Sequence, residues 1–166
     1  SPILYAFRIS LFQIFLYPYI PFVLSRAQNV GWNFLEHFSF PDPMLHVLAE
    51  CMRVLRPGGK LRIAVPDASI YIRAYMAKES FPEVIPVYKK AFFFNSPIDS
   101  INYIAYMAGQ HKHMFDTENL HAIIAHAGFV NVTSREYDPR IDIEKRRAQS
   151  IYCSAQKPRN SDIQSQ

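Results

Sequence analysis

The chain has 166 residues, 49% of them apolar and 19% charged, with thirteen Phe and ten Tyr. At roughly 150 residues per domain this is one domain, too apolar and aromatic for a disordered chain and able to bury a core. The net charge of +4 comes without a dense basic block, so neither nucleic acid nor an anionic lipid surface is the expected partner. Two cysteines, Cys51 and Cys153, cannot build a disulfide framework, and a reducing, cytoplasmic setting is the expectation. The five glycines (Gly31, Gly58, Gly59, Gly109 and Gly128) fall in no G-x-G or P-loop spacing, so the sequence holds no glycine loop for cradling a nucleotide.

The chain opens with an apolar stretch, Ile3–Leu24, close to the roughly 20 residues a membrane span needs. Arg8 and Gln13 interrupt it, Pro18 and Pro21 break it, and no basic region precedes it as in a signal peptide. An apolar helix or strand packing on the domain (residues 1–27) is the expectation, with a membrane anchor as the competing one. From Gln28, Val30, Trp32 and Phe34 alternate as in a strand. Asp42 stands where it could cap a helix beginning at Pro43. Met44, Leu45, Val47, Leu48, Cys51, Met52 and Leu55 then recur at helical spacing. Arg56-Pro57-Gly58-Gly59 stops that helix, and Leu61, Ile63 and Val65 alternate in a second strand ending at Pro66. Asp67 is placed to cap a helix through Ile70, Ile72, Tyr75 and Met76.

Residues 78–107 hold Pro82, Pro86, Pro97 and the run Ala91-Phe92-Phe93-Phe94, which suits short covering helices. Thr117 to Ala127 reads as a helix closed by Gly128, Phe129 to Val132 as a strand, Ala148 to Gln156 as the last strand, and 159–166 as a disordered tail. Strand, helix, strand, helix in this order predicts a right-handed crossover and a parallel α/β sheet.

Asn33-Phe34-Leu35-Glu36-His37-Phe38, then Leu48-Ala49-Glu50 and the run from Arg53 to Asp67 (RVLRPGGKLRIAVPD), resemble the second half of class I S-adenosylmethionine-dependent methyltransferases, closest to the methyltransferase type 11 group. Gly109 to Phe115, Ala127-Gly128-Phe129 and Ser150 to Lys157 resemble that family's later segments, so the likeness covers roughly residues 20–158. It implies a partial doubly wound, Rossmann-like, mostly parallel sheet with flanking helices. The first strands, the glycine-rich loop and the acidic residue that holds the cofactor's ribose have no counterpart here. Residues 28–158 are therefore expected to be the C-terminal portion of a methyltransferase domain, truncated or rebuilt at its front.

The resemblance implies S-adenosylmethionine as cofactor and a small-molecule or sugar-like methyl acceptor. Phe34, Leu35 and Glu36 would line the cofactor's methionine side, and His37, His111 and His113 are the catalytic candidates, as proton acceptors or positioning groups. The other reading makes Phe34 and Leu35 core, has Glu36 and His37 cap and hydrogen-bond the following turn, and makes His111 and His113 surface or helix-capping histidines. Asp67 reads better as a helix cap than as a substrate ligand. His111, His113 and Asp116 form H-x-H-x-x-D, but no third nitrogen or sulfur ligand is fixed and no metal is expected. Asp138, Arg140, Asp142, Glu144, Lys145, Arg146 and Arg147 read as a solvated loop, and both cysteines as core. Three readings of function compete: a methyltransferase, a partner-binding module that keeps the fold without a cofactor site, and a membrane-associated protein. Missing early strands would leave a sheet edge that the N-terminal segment or a second copy covers.

Overall fold

A computed structural model describes residues 27–32, 35–78 and 96–160. Phe34, the Ile3–Leu24 stretch, most of the segment around the triple Phe run, and 161–166 of the tail lie outside the described residues.

The first strand, β1 (Ala27–Trp32), leads through a 3-10 turn (Leu35–His37) to α1 (Asp42–Val54). Then β2 (Leu55–Pro66) is followed by α2 (Ala68–Ala77), and α3 (Pro97–Tyr106) precedes a short 3-10 turn at Met107–Gly109. Next come α4 (Thr117–His126), β3 (Val130–Ser134), a 3-10 turn at Glu144–Gln149 and β4 (Ser150–Gln156). One four-stranded sheet holds them in the order β1-β2-β4-β3. β1 and β2 pair in parallel, Val30 opposite Leu61, which a crossover through α1 makes possible. β4 runs antiparallel to both of its neighbours, with Ile63 opposite Cys153 and Thr133 opposite Ser154. Three strands thus share one direction and β4 opposes them, giving a mixed sheet with flanking helices.

α1 buries Met44, Val47, Leu48, Cys51 and Val54, the stripe that the apolar spacing marked out. These side chains share one core with Leu61, Ile63 and Val65 of β2, with Ile151, Cys153 and Ala155 of β4, and with Leu120, Ile123 and Ile124 of α4. Tyr71 and Ala74 of α2 and Ile104 of α3 make a second, smaller cluster. The exposed face of α2 carries Ile72, Tyr75 and Met76.

Two helix starts differ. Asp67 caps α2 as expected, its Oδ1 accepting the Ser69 amide at 2.9 Å. Asp42 does not cap α1: the cap position is Pro41, with no side-chain bond, and Asp42 is already inside the helix. The Pro57-Gly58-Gly59 stretch is not a turn outside the sheet. It is a bulge within β2, where Gly58 adopts φ +74 and donates to the Lys157 carbonyl at 2.9 Å. The last strand starts at Ser150 rather than Ala148 because Ala148 and Gln149 belong to the preceding 3-10 turn.

Candidate active site

The carboxyl ends of β1 and β2 and the start of β4 meet at one edge of the sheet, the place where open α/β sheets bind ligands. Backbone bonds assemble this edge from distant segments. The Asp67 amide donates to the Gln149 carbonyl and the Ala68 amide to the Phe115 carbonyl, both at 2.8 Å. The Glu36 carbonyl accepts amides from Lys112 at 2.8 Å and His113 at 3.3 Å. The 111–115 segment is thereby clamped between the turn after β1 and the start of α2.

A tight reversal delivers that segment. Met107, Ala108 and Gly109 all take positive φ, two of them without being glycine, so the chain turns back sharply after α3. Seven residues after Ile104, the His111 Nδ1 comes within 2.7 Å of its carbonyl. His37 Nδ1 lies 2.9 Å from the Gln110 carbonyl. A carbonyl can only accept, so both Nδ1 atoms carry the proton and both Nε2 atoms present lone pairs while the rings are neutral. The two rings meet edge to face, 5.2 Å between centroids.

Glu36 faces this pair. It is 1% exposed, and neither carboxylate oxygen has a hydrogen-bond partner among the described residues. Its Oε1 lies 3.8 Å from His37 Nε2 and 3.5 Å from Arg146 Nη1, distances of ion pairs rather than of hydrogen bonds. Burial pushes the Glu36 pKa above the ordinary carboxylate value, against the pull of His37 and Arg146. Burial likewise pushes the His111 pKa down, with the Ile104 carbonyl opposing, so this imidazole is held neutral near pH 7. One ligand atom each from Glu36, His37 and His111 lies within 4.8 Å of the other two.

Next to the cluster a cavity of about 20 Å³, room for about one water, is lined by Tyr71, Ile104, His111, Arg146, Gln149 and Ser150. The Tyr71 hydroxyl donates to Gln149 Oε1 across it at 3.2 Å. A wider, open cleft of about 500 Å³ runs along the loop between β3 and β4, past Asp67, Arg135, Tyr137, Arg147 and Tyr152.

The sequence candidates divide. Glu36, His37 and His111 come together, although Glu36 was read as a cofactor contact and the histidines as catalytic. Leu35 is 1% exposed and its side chain belongs to the main core. His113 turns away: its Nε2 meets Asn119 Oδ1 at 3.0 Å and its ring packs edge-on to Phe115. Asp116 caps α4 through the Asn119 amide at 2.7 Å, so the H-x-H-x-x-D motif does not converge. The two histidines would share a face only on a regular strand, and this segment makes just an isolated bridge through Phe115. Sequence reasoning missed Arg146, Tyr71 and Gln149. Arg146 sat in a charge run read as solvated, yet that loop is built around Asp142, 2% exposed at its side chain and held by Arg135 Nη2 at 2.7 Å and the Asp138 amide at 2.8 Å.

The mixed four-stranded sheet with its crossover helix and flanking helices is similar to part of a Rossmann-like methyltransferase fold. Residues 38–141 match the ubiE/COQ5 methyltransferase family, and the chain belongs to that family. A search of curated proteins finds no match. Among solved structures, it is similar to a Nostoc punctiforme protein provisionally assigned as an O-methyltransferase, at 14% identity and TM-score 0.46 over 78% of this chain and 31% of that one. It is also similar to Haemonchus contortus phosphoethanolamine N-methyltransferase 2, solved with S-adenosyl-L-methionine, at 14% identity and TM-score 0.45 over 81% and 34%. An Archaeoglobus fulgidus SAM-dependent methyltransferase is similar at 17% identity and TM-score 0.43 over 78% and 59%. The chain thus spans about a third of the length of the first two. Among the described residues, no helix is long and apolar enough to cross a membrane.

Proposed function

We propose that the chain forms the acceptor side of an S-adenosylmethionine-dependent methyltransferase, with the acceptor's reacting group held against Glu36, His37 and His111. The observation that supports this is the buried Glu36 carboxylate, left without a hydrogen bond at a ligand-facing sheet edge and met by two imidazoles of fixed tautomer.

The described residues do not by themselves fit the cofactor. A ribose and amino-acid cradle needs glycines in a strand-to-helix turn. Here Gly31 lies within β1, Gly58 and Gly59 in the bulge after α1, Gly109 after α3, and Gly128 between α4 and β3. None lies in a turn from a strand into a helix.

What the residues can do is handle the acceptor. A hydroxyl entering the cluster meets the Nε2 lone pair of a neutral His111, and taking its proton is worth typically 10²–10⁴ in rate when the acceptor must ionise. Tyr137 and Tyr152 line the adjoining cleft with Arg147 and Arg135 stacked over their rings, which gives a small-molecule or sugar-like body guanidinium groups to meet there. β1 has no partner on its outer side among the described residues, and the segment before it or a second copy would pair there.

The test is methyl transfer from labelled S-adenosylmethionine to a panel of small hydroxyl compounds by the complete gene product. His111→Asn is expected to lower kcat by about 10²–10⁴ while cofactor affinity holds. An unchanged kcat overturns the assignment. A folded product that binds no cofactor at millimolar concentration favours the partner-binding module.

A further inference from the structure

We propose that Glu36, His37 and His111 bind one divalent transition-metal cation of the Zn²⁺ type. The site deepens the reading above by naming what would polarise the acceptor, but it rests on side-chain geometry alone and stands or falls without methyl transfer.

The donor set is two imidazole nitrogens and one carboxylate, which suits Zn²⁺, Co²⁺ or Fe²⁺ and not the oxygen-seeking Mg²⁺ or Ca²⁺. One donor atom of each residue already lies within 4.8 Å of the other two, and metal bonds of about 2.0–2.2 Å would draw them inward by roughly 1 Å. Both histidines carry the support that metal-binding histidines need: the Nδ1 proton of each goes to a backbone carbonyl, which fixes the ring and frees Nε2. The third donor is the buried carboxylate whose oxygens have no hydrogen bond, a costly arrangement that a cation would relieve. The backbone holds the pieces in place, since the Glu36 carbonyl binds the amides of Lys112 and His113 on the His111 side. Three protein ligands leave a coordination position for water or an acceptor oxygen, the arrangement of a reactive rather than a purely structural site. Arg146, 3.5 Å from Glu36 Oε1, opposes a cation there, so affinity is expected to be moderate.

With a cation bound, His37 and His111 would act as ligands rather than as proton acceptors, and the cation would lower the pKa of the acceptor hydroxyl so that its proton passes to water. The two roles are separable by experiment. The full chain, stripped with chelator and shown folded, is titrated calorimetrically with ZnCl₂, with MgCl₂ as comparison, and its visible absorption is followed with CoCl₂. The expected result is one equivalent of Zn²⁺ with Kd of about 10 µM or tighter, no heat from Mg²⁺, and Co²⁺ bands in the visible. His37→Ala and His111→Ala should each weaken Zn²⁺ binding at least about tenfold, and exposed His46→Ala should leave it unchanged. Should His111→Ala fail to fold, His37→Ala carries the test, because that ring is only half buried. Absence of binding at 100 µM Zn²⁺, taken as roughly tenfold over the expected Kd, overturns the proposal, as does binding that His37→Ala does not weaken. Cation binding without methyl transfer would sustain it and overturn the acceptor-side reading instead.

Discussion

The Glu36 carbonyl oxygen and the Lys112 amide lie 2.8 Å apart, and this one backbone bond fastens the turn after β1 to the segment after α3. Glu36 and His111, far apart in sequence, owe their meeting to it. Because the clamp is backbone, side-chain changes in the cluster can be read as changes of chemistry rather than of position.

Glu36 should trade stability for function. Burial raises its pKa, so the folded state holds a proton that the unfolded chain releases above the ordinary value of about 4.3. That contribution is fully present below the unfolded pKa and lost as pH rises through the folded one. Glu36→Gln removes the ionisation, and the cation-free variant should be more stable than the parent at pH 7, with the difference narrowing toward pH 4. Chemical denaturation at pH 4 and pH 7 checks it. A lower midpoint for the variant at pH 7 would contradict the burial argument.

The cysteines set an alkaline limit. Burial pushes the Cys51 thiol up to about 12 and the Cys153 thiol up to about 11. Both folded values exceed the unfolded one of about 8.5, so stability is intact below that pH and declines as pH rises through the folded values. Neither thiol should react with a disulfide reagent at pH 8 until the chain unfolds. Rapid labelling of native protein would show either side chain to be open.

Three aspartates separate true caps from apparent ones. Asp67→Ala and Asp116→Ala each remove a side-chain acceptor from a helix amide and should cost about 1 kcal/mol. Asp42→Ala removes none and should stay within about 0.5 kcal/mol of the parent. Denaturant midpoints for the three variants decide it.

The reversal at Ala108 carries strain that glycine would release. With φ +54 at an exposed alanine, a left-handed conformation that costs a β carbon, Ala108→Gly should stabilise by about 0.5–1 kcal/mol. Loss of stability would mean that the Ala108 side chain makes a contact worth more than the strain.

Much of the fold was legible because it is periodic. The stripe from Met44 to Val54, the alternation of Leu61, Ile63 and Val65, and Leu120, Ile123 and Ile124 each announce a face, and the family motif between Arg53 and Asp67 fixed their order. The candidate site was legible only in part, since it has no period. Glu36 and His37 were found through the motif, and His111 through its spacing from His113. What paired His111 with them, and set His113 aside, is a left-handed turn at Met107–Gly109 and a carbonyl at Ile104, neither of which residue identity betrays. Arg146 was hidden among exposed charges because its direction depends on a loop folded around Asp142.

The most direct measurement is a long-range ¹H–¹⁵N correlation spectrum of the imidazoles in the folded, cation-free chain at pH 7. Nδ1–H tautomers are expected for both His37 and His111, with both Nε2 atoms unprotonated and that of His37 facing Glu36 Oε1. Nε2–H tautomers, or a charged His111, would mean that the Nε2 lone pairs are not free, and both the base and the cation site would be lost.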